Sequence, residues 1–111
     1  MISPLHQSLA GGRWQEMTLA EQLANVGSEF SRAFRAKKAN NELRFANALD
    51  RFLELLNLTL MDPRWQDHRK REVSRLKEVV LGGLFGSALE LNALESLESY
   101  FTHFGIAARK K

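Results

Sequence analysis

Residues 18–38 read TLAEQLANVGSEFSRAFRAKK and combine a helix start signal with a helical apolar pattern. The Thr18 hydroxyl can accept a hydrogen bond from the Glu21 amide while the Glu21 carboxylate reaches back to the Thr18 amide, an arrangement called a capping box. Apolar residues then recur at alternating steps of four and three, which is the spacing of one face of a helix. They are Leu19, Leu23, Val26, Phe30 and Ala33. This stretch predicts a first helix that begins at Thr18.

A second stripe on this helix consists mostly of small residues and includes Gly27. A glycine inside a helix costs about 1 kcal/mol relative to alanine. Close approach of a neighbouring helix would compensate for that cost. We therefore expect Gly27 to serve helix packing rather than ligand binding.

The helical periodicity resumes after Asn40 and Asn41, two residues that tolerate turn geometry and predict a tight helical hairpin. The second helix is predicted to run from about Glu42 to Met61, with two apolar stripes. Its polar strip is narrow and consists of Arg44, Asn47, Arg51 and Glu54. Because a narrow polar strip is typical of a helix with neighbours on two sides, we expect this helix to be the most buried one.

Two further helices follow. Asp62-Pro63 ends the second helix, and we expect it to start the third, with Asp62 as the cap and Pro63 as the first helical residue. A second capping box at residues 87–90 predicts the start of a fourth helix, which ends at Gly105.

Four amphipathic segments with short connections are typical of an antiparallel up-down four-helix bundle. We therefore predict an all-α domain over residues 18–106, a short N-terminal arm over residues 1–17 and a basic tail over residues 107–111. A chain of 111 residues is long enough for one such core and too short for two.

The composition excludes several classes of protein. Without cysteine the chain has no disulfide, thiol nucleophile or thiolate metal site. No apolar run approaches the roughly 20 residues that cross a bilayer, and the N-terminus lacks a signal-peptide pattern. We therefore expect a cytoplasmic protein without a membrane partner.

The sequence patterns of metal and phosphate sites are also missing. A carboxylate di-metal bundle needs Glu-x-x-His pairs on facing helices, but Trp65 and Tyr100 stand three residues before His68 and His103. The glycine-rich residues 82–86 lack the lysine and the preceding strand of a phosphate loop. We expect neither an enzyme nor a bound metal or cofactor.

The sharpest functional candidate is a basic row on the third helix. Its residues are Arg64, His68, Arg71 and Arg75. Steps of four, three and four place these side chains on one side of a helix, where they can follow the phosphates of a nucleic acid. The interpretation that we favour is a solvated face whose arginines form weak ion pairs with the fourth helix. The candidate partners there are Glu90, Glu95 and Glu98.

Six apolar residues are not required by the four helical core stripes. They are Ile2, Leu5, Leu9, Trp14, Leu58 and Leu91. An assembly surface would cover them, since aromatic and leucine clusters are favoured in interface cores. We therefore predict a non-enzymatic helical interaction module that forms a homo-oligomer or binds a protein partner. The alternative is an accessory nucleic-acid-binding protein that uses the third helix and the tail at residues 109–111.

Two segments carry a resemblance to a family of proteins. Residues 17–29, MTLAEQLANVGSE, and residues 53–63, LELLNLTLMDP, resemble a family of small bacterial helical-bundle proteins with no known activity. The resemblance continues near the C-terminus, at Tyr100, Phe101, Phe104 and residues 107–109. It therefore spans most of residues 17–109. The resemblance implies a bacterial helical domain and implies no catalytic residues.

Overall fold

The computed structural model describes residues 12–86 and 94–109. Within this part of the chain there are four α-helices and no strand, which confirms the all-α class and the predicted number of helices. Short 3-10 helices also occur at Trp14–Glu16 and Pro63–Trp65. The α-helices are α1 (Leu19–Lys38), α2 (Glu42–Leu60), α3 (His68–Phe85) and α4 (Glu95–Arg109).

The start of α1 and the turn after it are formed as predicted. The Thr18 hydroxyl accepts from the Glu21 amide at 3.1 Å, and the Thr18 amide donates to the Glu21 carboxylate at 2.8 Å. Asn40 adopts a positive φ of 56°, a conformation that asparagine tolerates better than most residues. The Asn41 side chain then caps α2 by accepting from the Arg44 amide at 3.1 Å. These local bonds produce a helical hairpin.

The central helix is α1, because it packs against both α2 and α4. Nine residues of α1 are buried, compared with six of α2. The prediction that the second helix is the most buried one is therefore wrong. Its first residues, 42–47, are exposed apart from the half-buried Phe45. The tight turn places these residues at one end of the molecule, where fewer neighbours cover them.

Phe30 is the point where three helices meet. Its ring lies 5.2 Å from that of Phe101 on α4 and 6.5 Å from that of Phe52 on α2, measured between centroids. Phe34 stacks on it at 5.7 Å from the next turn of α1. Aromatic pairs at such separations add to the stabilisation from burial itself.

The third helix starts later than predicted. Asp62 and Pro63 form a 3-10 helix that ends at Trp65, and α3 begins only at His68 with Asp67 as its cap. The side-chain amide nitrogen of Gln66, Nε2, donates to the carbonyl oxygens of Leu60 and Asp62, at 3.1 and 2.7 Å. These bonds satisfy carbonyl groups at the end of α2 and hold the connection as a turn.

Two of the six apolar residues assigned to an assembly surface belong to the core instead. Trp14 is 0% exposed and Leu58 is 7% exposed, so their assignment to such a surface is wrong. Trp14 lies against α2, where its indole Nε1 donates to the Thr59 hydroxyl at 3.1 Å. The other four residues, Ile2, Leu5, Leu9 and Leu91, lie outside the described residues. The same holds for the capping box predicted at residues 87–90 and for Lys110 and Lys111.

Gly27 lies where α1 and α4 approach each other. A β-carbon added at Gly27 would be 2.5 Å from the β-carbon of Phe101. That atom is next to the backbone of α4 and cannot swing away as the end of a long side chain can. The expectation that Gly27 serves packing is confirmed.

The change Gly27→Ala should lower the free energy of unfolding. Overpacking costs about 1–3 kcal/mol, against a gain of about 1 kcal/mol in helix propensity. Gly82 on α3 is a matched control, because it is exposed and an added β-carbon would meet nothing within 4 Å. Gly82→Ala should therefore raise stability by up to about 1 kcal/mol. Urea unfolding of both variants measures the effect. A Gly27→Ala variant as stable as the parent would contradict the close packing of α1 and α4.

Candidate functional site

The basic row predicted on the third helix is not assembled as predicted. Arg64 lies in the 3-10 helix before α3 and is separated from it by residues 65–67. His68, Arg71 and Arg75 lie on α3 and are exposed. The late start of α3 therefore removes Arg64 from the row.

Arg64 forms an ion pair with the buried carboxylate of Asp62. The Arg64 Nε and Nη2 atoms donate to the two carboxylate oxygens, at 3.0 and 2.7 Å. Nη2 also donates to the Met17 carbonyl at 2.7 Å, and the guanidinium lies 4.4 Å from the centre of the Trp65 ring. The Arg64 side chain thus joins the chain segment before α1 to the connection after α2.

The Arg64 hydrogen bonds lower the pKa of Asp62 to about 2, although burial opposes this shift. A hydrogen bond from Gln22 acts in the same direction as Arg64. A bidentate contact and a buried acceptor are features of a structural ion pair. Arg64 is therefore committed to the fold and is not free for a ligand.

Gln22 is fully buried and completes this network. Its amide nitrogen donates to the Trp14 carbonyl at 2.8 Å and to Asp62 at 2.9 Å. Its amide oxygen accepts from the Trp65 indole at 2.8 Å. The side chain therefore has no unsatisfied donor, and its oxygen is paired, which is what a buried amide requires.

The rest of the basic face on α3 is exposed. His68 Nδ1 is 3.8 Å from the Asp67 carboxylate. The backbone amide of Arg69 donates to that carboxylate and lowers the pKa of Asp67, and the nearby His68 and Arg69 side chains act in the same direction. The side chains of Arg71 and Arg75 make no hydrogen bond or ion pair with any residue that the structure describes.

The predicted ion pairs between α3 and the fourth helix are not observed in the described part of the chain. Glu98 instead accepts a hydrogen bond from the Ser31 hydroxyl of α1, at 3.0 Å. Glu90 lies outside the described residues. The two α3 arginines therefore remain a solvated surface without a defined geometry.

A groove between α1 and α2 brings four other arginines together. Its volume is about 510 Å³. Residues three or seven apart share a face of a helix, so each helix directs two arginines toward the groove. Arg32 and Arg35 come from α1, and Arg44 and Arg51 come from α2. We call this surface the arginine groove.

Small side chains leave room for the arginine groove. Ala36 and Ala48 are almost fully buried, and together with Ala39 they form the part of the lining that has no side-chain polar atoms. The carboxamides of Asn41 and Asn47 lie among the arginines. The surface therefore offers guanidinium donors around an apolar centre.

The buried Glu29 carboxylate holds two of the four guanidiniums. Arg32 Nη1 donates to it at 2.7 Å and Arg51 Nε donates at 3.1 Å. Arg35 and Arg44 are exposed, and their side chains form no ion pair within the described residues. The arginine groove therefore combines two fixed guanidiniums with two that are open to a ligand.

Only one wall of this groove was predicted from the sequence. The polar strip predicted on the second helix includes Arg44, Asn47 and Arg51, whereas no sequence prediction includes Arg32 or Arg35. In a helical hairpin, residues at equal distances from the turn face each other. Counting outward from Asn40 and Asn41 places the two pairs of arginines together.

A second groove, of about 450 Å³, lies between α1 and α4. Its charged lining residues are Glu21 and Glu98. Small side chains, including Ala24 and Gly27, are part of its lining. The two grooves beside α1 are thus lined by charged side chains of opposite sign.

The described residues contain no group of three or more His, Cys, Asp or Glu side chains that could hold a metal ion. Nor does any helix among them have the length and apolar character needed to span a bilayer. Comparisons of the chain with family models, curated proteins and solved structures found no match. The resemblance to a bacterial helical-bundle family therefore stays a prediction.

The ion pair of Asp62 predicts a specific dependence of stability on pH. The pKa of Asp62 is about 2 in the folded protein and about 3.9 in an unfolded chain. The folded state thus binds fewer protons, so the stabilisation is fully present above about pH 4 and is lost as the pH falls toward 2. The change Asp62→Asn should lower the free energy of unfolding at neutral pH, and its difference from the parent should shrink between about pH 4 and 2.

Urea unfolding followed by tryptophan fluorescence measures this dependence, since Trp14 and Trp65 both contact the network. Other carboxylates titrate in the same range, and subtracting the variant from the parent removes their contribution. A difference that stays constant down to pH 2 would show that Asp62 carries no such ion pair.

Proposed function

We propose that this protein is a non-enzymatic helical interaction module that binds an anionic partner in the arginine groove. One observation carries the proposal: four guanidiniums from two helices line a single concave surface, and Glu29 is paired with only two of them. Guanidinium groups are favoured wherever planar, multiply hydrogen-bonded recognition of anions is needed. A concave surface also allows several of them to reach one ligand.

The buried Glu29 supports the proposal because it fixes part of the binding surface in advance. An arginine side chain normally loses rotamer entropy when it binds a ligand. Arg32 and Arg51 are already held by Glu29 at 2.7 and 3.1 Å, so less of this cost remains. Both retain further N–H donors, since each guanidinium has five.

We propose further that the four helices alternate in direction, as an antiparallel up-down bundle. In an antiparallel pair, the partner's residue number falls as the residue number rises. The contacting pairs Gln22 with Asp62 and Glu29 with Arg51 support this for α1 and the end of α2. Asn57 with Lys77 and Phe45 with Phe85 support it for α2 and α3.

The experiment is a comparison of two double variants with equal loss of charge. Arg35→Gln with Arg44→Gln removes the two guanidiniums of the groove that have no ion pair among the described residues. Arg71→Gln with Arg75→Gln removes two exposed guanidiniums from α3 and serves as the control. Binding of fluorescently labelled heparin is measured by anisotropy at about 50 and 200 mM salt, and thermal melting shows that both variants are folded.

The groove variant should bind heparin at least about tenfold more weakly than the parent, which corresponds to about 1.4 kcal/mol for the two contacts. The control should differ from the parent much less. Equal losses in both variants would show that binding depends on net charge and not on the groove. A parent protein that does not bind at the lower salt concentration would reject the proposal.

Self-association stays a separate prediction. The described surface exposes several large apolar side chains, among them Leu43, Met61 and Phe85, and exposed apolar residues are also common on monomeric proteins. Light scattering at micromolar concentration should show a species larger than 12.7 kDa if the chain assembles. Removal of residues 1–12 should then weaken the assembly, whereas a monomer before and after the removal would contradict it.

A further inference from the structure

We infer that the ligand of the arginine groove carries phosphate esters, either as a free nucleotide or as the backbone of a single-stranded oligonucleotide. This inference rests on the proposed function and narrows the anion to one chemistry. It follows from the arrangement of the guanidiniums, the charge that they leave uncompensated and the lining between them.

The guanidiniums approach the groove from two sides. Arg32 and Arg35 belong to one wall, and Arg44 and Arg51 belong to the other. A carboxylate has two oxygens in one plane, and Glu29 shows that two guanidiniums, one from each wall, already occupy both of them. A terminal phosphate group has three acceptor oxygens that are not coplanar with its phosphorus atom. It therefore offers more acceptors to the guanidiniums of both walls than a carboxylate does.

The length of the groove accommodates more than one phosphate. Arg44 and Arg51 are seven residues apart on α2, which corresponds to about 10 Å along a helix. Guanidiniums therefore stand at both ends of the groove and not only at one point. Consecutive phosphates of a nucleotide or of a nucleic-acid strand can be contacted along this line.

The charge of the site also favours phosphate. Glu29 compensates part of the charge of Arg32 and Arg51, whereas Arg35 and Arg44 have no ion pair among the described residues. A phosphate monoester carries a charge of about −1.5 to −2 at pH 7. Two uncompensated guanidiniums therefore match one terminal phosphate, and a carboxylate would leave one of them unpaired.

The lining between the arginines has room for the rest of a nucleotide. A volume of about 510 Å³ lies within the range of about 300–1,000 Å³ that is usual for small-molecule sites. The exposed Ala39 provides an apolar contact for a base or a sugar, and the small, buried Ala36 and Ala48 leave the groove open beside it. The exposed Asn47 carboxamide offers both a donor and an acceptor to the edge of a base.

The test uses the full chain and four probes: ATP, inorganic phosphate, citrate and a short single-stranded RNA. Calorimetry measures the first three, and anisotropy measures the labelled RNA. ATP or RNA should bind at least about tenfold more tightly than citrate, although citrate carries several carboxylates. Arg35→Gln with Arg44→Gln should remove most of this binding, and Arg71→Gln with Arg75→Gln should retain it.

The probes distinguish the two sources of phosphate. Tighter binding of ATP assigns the groove to free nucleotides. Tighter binding of RNA assigns it to a phosphodiester backbone, and the groove variant should then reduce the slope of log affinity against log salt by about 1.4, for two lost contacts. Either result supports phosphate recognition.

Two outcomes would overturn the inference. If citrate binds as tightly as ATP and RNA while heparin binding persists, the groove is a general anion site and the proposed function stands without the phosphate preference. If neither heparin nor any phosphate probe binds at low salt, the proposed function and this inference fail together. Amide chemical shifts give an independent readout, since phosphate binding should perturb residues 32–51 and leave α3 unchanged.

Discussion

Gln22 is a polar side chain in a position that water does not reach, and this placement constrains much of the molecule. An amide left unpaired in such a position costs about 1–3 kcal/mol. Its partners are the Trp14 carbonyl, the Asp62 carboxylate and the Trp65 indole. Trp14 belongs to the segment before α1, and Asp62 and Trp65 belong to the connection between α2 and α3, so one side chain of α1 requires both segments to be in place together.

The same requirement explains where charge remains available for binding. Because the Asp62 carboxylate faces Gln22, it needs a cation, and Arg64 provides one through two hydrogen bonds. Arg64 is therefore not part of the exposed basic face of α3. Glu29 is a comparable buried carboxylate in the hairpin, but its partners, Arg32 and Arg51, line a groove whose two other arginines have no ion pair within the described part of the chain. Asp62 thus forms a structural ion pair with Arg64, whereas Glu29 holds two of the four arginines of the arginine groove.

Local features were predictable from the sequence, and long-range ones were not. The capping box at Thr18, the turn at Asn40 and Asn41 and the packing role of Gly27 each depend on neighbours in the chain or on one helix face. The predicted start of α3 was wrong. Asp62-Pro63 satisfies the local rule for a helix start, but Asp62 also contacts Gln22, forty residues away, and a sequence pattern does not contain that contact. Trp14 was misassigned for the same reason. Only the α2 wall of the arginine groove was predicted, because its pairing with Arg32 and Arg35 becomes apparent only when residues are counted outward from the turn of the hairpin.

The arginine groove concentrates positive charge in one concave surface, and this affects how fast an anion arrives as well as how tightly it is held. Four guanidiniums line this groove, and Glu29 compensates only part of their charge. Field lines are focused in a cleft lined by one sign of charge, so an anion is attracted before contact is made. This attraction increases the rate of encounter and decreases as salt shortens the screening length, to about 8 Å at physiological ionic strength. The charge of the groove thus acts on the rate of association, even where the shape of the groove determines the affinity.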